Sequence, residues 1–339
     1  MRSLCVALLV FLVVPLSGVR PVQAQSTWET SRKFSVGGEG RWDYISVDEQ
    51  SHRLFVTRST HTLVLDADSG QALADIPGQK LAHGVAIVPK LNRGFITDGA
   101  GSGAIVVFDL KTYSVLGRLA AVPDTDGIIY DSGSNLVLAS AGDSSALLAF
   151  KPDIDPVNGK IGAPIDLEGK PEFLAADGHG KAYVNLEDKD VVAVVDLNAR
   201  KVLAKWPIAP GGRPVGLSID AKTHRLFVGC RNPQKLVVMN AENGEVEASI
   251  PIGAGVDATA FSEGQAFASC RDGSLIVAGD KDGKFSLIQT VQTPEGARTL
   301  AVDAMTHRIY LPTAEFEPTT SGRPKAKPGT FMIVLVERH

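Results

Sequence analysis

The sequence predicts an all-β fold: a seven-bladed β-propeller of four-stranded blades. Three observations predict it. Seven strand cores of one type recur, from Arg53-Leu54-Phe55-Val56-Thr57 to Arg308-Ile309-Tyr310-Leu311-Pro312, with central residues at 55, 95, 137, 183, 227, 267 and 310, in steps of 40 to 46 residues. That step matches the propeller and WD40-like period. Each core leads into a second apolar run, such as Ile105-Val106-Val107-Phe108-Asp109 or Val192-Ala193-Val194-Val195-Asp196. Finally, the runs are short and β-branched, punctuated by Asp, Asn, Gly and Ser, which is strand and turn chemistry with no long helical period.

Each unit has the same internal order. An alternating strand comes first, as in Tyr44-Ile45-Ser46-Val47, and ends in a turn. The aromatic-centred strand follows, then the apolar third strand. A weaker fourth strand, such as 71–76 or 246–250, completes the unit. The last unit has only three strands of its own, at 299–303, 308–311 and 331–336, while an unattached strand at 33–36 precedes the first unit. Pairing 33–36 with 331–336 completes the seventh blade and leaves only short, protected edges.

The chain of 339 residues has 44% hydrophobic and 21% charged residues, so it can bury a large core and is not a disordered segment. Residues 1–24 read as a signal peptide: Met1-Arg2 is basic, 4–16 is apolar, and Val22-Gln23-Ala24 is a small-residue ending. The apolar run is shorter than the ~20 residues of a membrane span. Cleavage would remove Arg2 and Arg20, leaving 315 residues (25–339), a net charge of −6 and no anchor. The expected location is the periplasm or the extracellular space, and the expected state a monomer.

The units Lys181-Ala182-Tyr183-Val184-Asn185 and Arg53-Leu54-Phe55-Val56-Thr57, each followed by a V-x-V-x-D-type strand, resemble the YVTN-repeat (YncE-like) seven-bladed propellers. The resemblance covers about residues 32–337 and weakens in the third and sixth units, where Val137 replaces the aromatic residue and Gln265 the basic one. It implies an exported propeller. It also implies single-stranded DNA binding, as suggested for a relative, which the acidic balance of this chain opposes, because nucleic-acid binding runs on basic surface.

The repeat separates structural residues from others. His52, His224 and His307 sit in D-x-x-x-H-R turns that start at Asp48, Asp220 and Asp303, and His179 occupies a similar turn. Asp66, Asp109 and Asp196 end third strands. All of these read as turn residues. The position just before each first strand holds Asp43, His83, Asp126, Glu172, Val215, Asp257 and Arg298. First strands line a propeller's axis, so these seven should ring one mouth of the central channel. The ends of the second strands and nearby loops add Arg58, Asp98, Asn185, Arg231 and Arg271, with Arg41, Trp42, His61 and Arg213.

Convergent ionisable groups at a concave mouth make a ligand site the expectation. The residues assigned to it are Trp42, Asp43, Arg58, His83, Asp126, Glu172, Arg213, Arg231, Asp257, Arg271 and Arg298. The partner is an unidentified small molecule or protein. The arginines suit a carboxylate or phosphate. Asp43, Asp126, Glu172, Asp257 and His83 could instead hold a divalent cation, as in lactonase-like hydrolase propellers, which use oxygen ligands. No cofactor is assigned, and no catalytic residue. No G-x-S-x-G, H-E-x-x-H or Walker pattern occurs, and Gly99-Ala100-Gly101-Ser102-Gly103 leads into a strand rather than the helix a phosphate cradle needs.

Two further expectations follow. The insertion at 314–330, with Pro318, Pro324 and Pro328, reads as a mobile flap near the mouth without regular pairing. Cys230 and Cys270 occupy one repeat position in adjacent units. Facing sheets lie about 10 Å apart, too far for a disulfide, so both should be free thiols.

Overall fold

The structure is a computed structural model and describes residues 27–319 and 324–339. The signal segment lies outside the described residues. Along the chain, β1 (Trp28–Ser35) is followed by β2 (Ile45–Asp48), β3 (Arg53–Thr57), β4 (Ser59–Asp66), β5 (Ala72–Val88), β6 (Arg93–Asp98), β7 (Ala104–Asp109) and β8 (Val115–Ala120). Next come β9 (Thr125–Asp131), β10 (Leu136–Ala141), β11 (Ala146–Phe150), β12 (Ile165–Asp166), β13 (Pro171–Ala176), β14 (Lys181–Leu186), β15 (Val191–Asp196) and β16 (Lys201–Pro207). The last are β17 (Pro214–Asp220), β18 (Arg225–Arg231), β19 (Gln234–Asn240), β20 (Val246–Pro251), β21 (Val256–Ser262), β22 (Gln265–Cys270), β23 (Ser274–Lys281), β24 (Lys284–Gln292), β25 (Ala301–Asp303), β26 (Arg308–Thr313) and β27 (Met332–Arg338). A single 3-10 turn, Pro89–Leu91, is the one helical element among the described residues.

These strands form five four-stranded antiparallel sheets and one of seven strands, β2 to β8. The larger sheet exists because β5 is one long strand. Its first part pairs with β4 (Thr62 opposite Ile76) and its last part with β6 (Val85 opposite Ile96). Elsewhere a loop separates the corresponding strands. The two chain ends share a sheet, ordered β1-β27-β26-β25, with Phe34 opposite Ile333. The N-terminal strand therefore completes the last sheet, as its sequence anticipates, over a longer span than 33–36.

First strands of successive sheets touch: β2 meets β5, β5 meets β9, then β13, β17, β21 and β25 follow, and β25 returns to β2. The apolar faces between sheets form separate clusters, one being Leu138, Leu147, Leu174, Val184 and Val195. Each fully buried Leu or Val contributes ~1.5–3 kcal/mol relative to exposure. The repeated aromatic residues Phe55, Phe95, Tyr183, Phe227, Phe267 and Tyr310 are all fully or almost fully buried.

The turn residues behave as read. The carboxylates of Asp66, Asp109 and Asp196 accept backbone N–H groups two and three residues on. His52, His224 and His307 have φ of 54°, 54° and 56°, and Asn92 and Asn135 in related turns have 53° and 54°. These residues occupy the left-handed turn position that Asn adopts readily.

The insertion departs from the expectation of an unpaired flap. Phe316 and Ala326 form an antiparallel bridge, the Glu317 N–H donates to the Lys325 carbonyl at 2.8 Å, and the Lys327 N–H donates to that of Glu315 at 2.8 Å. The prolines fall outside these donating positions, so they leave the short stem intact. Phe316 packs on Trp42 with ring centroids 6.1 Å apart, which gives the stem a hydrophobic anchor. Residues 320–323 of the insertion lie outside the described residues.

Candidate functional site: an ion-paired mouth

Polar staples set the mouth. Thr57 Oγ1 donates to the His83 carbonyl at 2.7 Å, Thr97 Oγ1 to that of Asp126 at 2.5 Å, Asn185 Nδ2 to that of Val215 at 3.0 Å, and Ser269 Oγ to that of Arg298 at 2.7 Å. Each donor lies two residues after the central aromatic of its strand, and each acceptor is the mouth residue of the next unit. The staples thus hold neighbouring sheets together and fix the backbone beneath the mouth side chains. Sequence reading put Asn185 on the mouth face without assigning it to the ligand site, and its amide is used inside the wall.

On this frame the predicted ring residues make a nearly continuous chain of contacts. His83 Nδ1 lies 2.7 Å from Asp43 Oδ2 and 3.3 Å from Asp126 Oδ1. Arg298 reaches Asp43 Oδ1 at 3.2 Å and pairs with Asp257. Asp257 also accepts from Arg231, which reaches Glu187 Oε1 at 3.5 Å. Val215, the apolar member, is fully buried. Its place at the rim is taken by Glu187, the residue sequence reading missed. A signal existed, because Glu187 occupies the same repeat position as Arg231 and Arg271. Among the described residues no hydrogen bond or ion pair joins Asp126 to Glu172, so the chain is open there.

Electrostatics follow these pairs. Burial alone would lower His83, but the hydrogen bond to Asp43 and the charges of Asp126 and Asp43 outweigh it and push the imidazole up to about 9. Asp43, despite burial, is held below the usual carboxylate range by His83 and Arg298. At the next two ring positions burial wins instead. Burial, Asp126 and Glu187 push Glu172 up to about 8, and burial pushes Asp126 up to about 6 against the pull of His83.

A cavity of about 300 Å³ is lined by Trp42, Asp43, His83, Asp126, Glu172, Arg231, Asp257 and Arg298, so the structure brings together eight of the eleven assigned residues. Tyr44 lines it too and packs on Phe173 at 4.9 Å. The other three stand elsewhere. Arg58 is turned inward, donates to the carbonyls of Gly37, Glu39 and Gly40, and lies 3.9 Å over the Phe331 ring. Arg213 sits further out on the rim, 2.6 Å from Glu187 Oε1. Arg271 lines an adjoining chamber with Arg298 and Trp42. Asp98 is fully buried and is satisfied by Arg118 and the N–H groups of Lys80 and Leu81. His61 does not line the cavity either; its ring Nδ1 contacts Thr60 Oγ1 at 3.1 Å.

No protein-family model matches the chain. An uncharacterized protein YncE of Salmonella typhimurium is 22% identical over 227 residues, which cover 62% of this chain and 63% of that protein. The match thus spans less than two thirds of the relative's length. This chain is similar to YncE, and its fold is a β-propeller. The WD40 repeats of RRP9 superpose with a TM-score of 0.77 at 10% identity, covering 92% of this chain and all of that one. Kuenenia stuttgartiensis hydrazine synthase gives 0.67 at 10% identity, covering 79% of this chain and 91% of that one. At such identities the likeness concerns the fold alone. No helix among the described residues is long and apolar enough to cross a membrane.

Proposed function

We propose that this chain is an exported, monomeric seven-bladed propeller that binds a ligand, a small molecule or a segment of a protein, at one mouth of its central channel. On this reading residues 25–339 form one domain, and the seven-stranded sheet counts as two blades that share β5. The circuit of contacts from β2 through β25 back to β2 supports a ring of seven inner strands. The observation that carries the binding role is the mouth cavity, where ring side chains from six units converge on one space. Pockets of this size that gather a few convergent polar groups are the usual form of small-molecule sites. A thermal-shift ligand screen on the wild type and on Arg298→Ala tests it. A ligand that stabilises the wild type and not the variant supports the reading; a broad screen in which none separates the two proteins sinks it. Light scattering tests the monomer, and N-terminal sequencing of the exported protein tests a start at Gln25.

A metal-dependent hydrolase is the second reading. One oxygen or nitrogen each from Asp43, His83 and Asp126 lie within 4.8 Å of one another. These residues fit a hard cation poorly. Ligation needs a neutral imidazole, whereas His83 is held protonated up to about 9, and Asp43 already serves Arg298. Elemental analysis after dialysis separates the readings: stoichiometric calcium or zinc favours the hydrolase.

A further inference from the structure

The mouth has a second chamber of about 270 Å³, whose walls include Arg41, Trp42, Arg271, Arg298, Phe316 and Lys325. Its composition is one-sided. Four of its lining residues are cationic and none is acidic, in a chain of net charge −4. Arg298 is already occupied by Asp43 and Asp257. Arg41 and Arg271, by contrast, have no ion-pair partner among the described residues. Arg271 is half-buried: burial, then the charges of Arg231 and Arg41, hold its guanidinium below its ordinary range against the pull of Glu295 and Asp43, neither of which pairs with it. A fold that gathers unpaired guanidiniums against one another gains most when an anion arrives between them.

The rest of the wall is apolar. Trp42 and Phe316 lie 6.1 Å apart, centroid to centroid, with their planes tilted by 46°. Phe316 is brought there by the 315–327 stem and rests on Gly296, where φ is 83° and a Cβ would fall 2.4 Å from the ring. Glycine therefore serves two ends at this point: the backbone conformation and the approach of the phenyl ring. Planar guanidiniums fork a carboxylate with two parallel hydrogen bonds, and aromatic walls favour a flat ring. The chamber's size admits one or two fused rings.

We propose that this chamber binds a small aromatic carboxylate, with the carboxylate held by Arg271 and Arg41 and the ring laid against Trp42 and Phe316. The proposal rests on the reading of the mouth as a ligand site and names the class of ligand it takes.

Titration calorimetry with benzoate and 4-hydroxybenzoate tests it, with cyclohexanecarboxylate, phenyl phosphate and inorganic phosphate as comparators. Benzoate should bind at least tenfold more tightly than cyclohexanecarboxylate and than inorganic phosphate. Arg271→Gln should weaken benzoate at least tenfold and Arg271→Lys by less, since the lysine keeps the charge and loses the fork. Lys325→Gln, at an exposed position, should weaken it about two- to threefold without changing the melting temperature, and Lys222→Gln, in an exposed turn that does not line the mouth, should leave it within twofold. Phenyl phosphate binding more tightly than benzoate would replace the carboxylate by a phosphate and overturn the assignment. So would the absence of saturable benzoate binding at millimolar concentration, or affinity unchanged in both Arg271→Gln and Lys325→Gln. The two readings fail separately. Ligands that respond to Arg298→Ala but never to Arg271→Gln would leave the mouth site standing and remove the aromatic-carboxylate chamber.

Discussion

His83 and Asp43 occupy one repeat position in successive units, 40 residues apart in sequence, and their side chains meet at 2.7 Å. The same holds across the junction of the chain's ends, where Arg298 reaches Asp43 at 3.2 Å over a separation of 255 residues. A repeat residue thus finds its own equivalent as a neighbour. The mouth chemistry is set by which residue each unit places there, and opposite charges at 298, 43 and 83 let these buried groups pair.

Asp257 is the most heavily used member, since it pairs with both Arg231 and Arg298 and is only 5% exposed. Removing one partner of a buried pair leaves an uncompensated charge, at a cost of ~3–5 kcal/mol. Asp257→Asn should therefore destabilise the fold by about 3 kcal/mol, measured by urea denaturation. Adding Arg298→Gln to it should cost less than the sum of the two single changes, because the stranded charge is then gone. Strict additivity in that double-mutant cycle would show that the pair carries no coupling.

Glu172 predicts a pH dependence. Its carboxyl is raised from 4.5 to about 8 in the fold by burial, Asp126 and Glu187. Between those values the folded state binds the extra proton, so stability falls as pH rises. His83, raised from 6.5 to about 9, acts in the same direction, its stabilisation being full below 6.5 and lost through 9. The melting temperature should drop from pH 6 to pH 9, and Glu172→Gln should flatten the part below pH 8. A wild-type melting temperature that rises over this range, or an identical slope in Glu172→Gln, would contradict the assignment.

The ring was legible because period and position suffice for it: once first strands line an axis, the residue before each one must face its neighbours. Arg58 was not legible. It stands one residue beyond Thr57, whose hydroxyl faces the next sheet, and only the path of 37–40 decides that its guanidinium points inward. The paired stem of the insertion was hidden for a related reason. Its proline count signals irregularity, while the anchoring contact of Phe316 with Trp42 is non-local. The long strand β5 was also unreadable, because its pairing with both β4 and β6 depends on a turn being omitted rather than on any residue signal.

Arg58 itself predicts a stability effect. The side chain is 1% exposed and donates to three carbonyls of the segment that leads to Trp42, while burial lowers its pKa to about 10. Hydrogen bonds to a charged group contribute ~1.5–3 kcal/mol each and are not additive. Arg58→Leu should cost ~2–4 kcal/mol and shift the Trp42 emission to the red as 37–40 loosens. Loss of less than ~0.5 kcal/mol, the size of an ordinary surface change, would show that the segment is held by something else.

The thiols give the last prediction. Cys230 and Cys270 are free and fully buried, each at the same place in adjacent units. Each sulfur turns back onto its own strand, with Cys230 Sγ 3.7 Å from the Val228 carbonyl and Cys270 Sγ 4.0 Å from that of Ala268. A Cβ on Gly211 would fall 2.6 Å from Cys230 Sγ, so the sulfur is closely packed as well. Burial pushes both thiols up to about 12. The thiolate is the reactive form, and at pH 8 it then amounts to about one molecule in ten thousand. Iodoacetamide should therefore leave Cys230 and Cys270 of the native protein unlabelled over hours, as read by peptide mapping. In denaturant without reductant it should label both positions. Rapid labelling of either in the native protein would show that these sulfurs are open to solvent, and a denatured protein that takes no label at either position and yields a Cys230–Cys270 linked peptide would show that they are bridged.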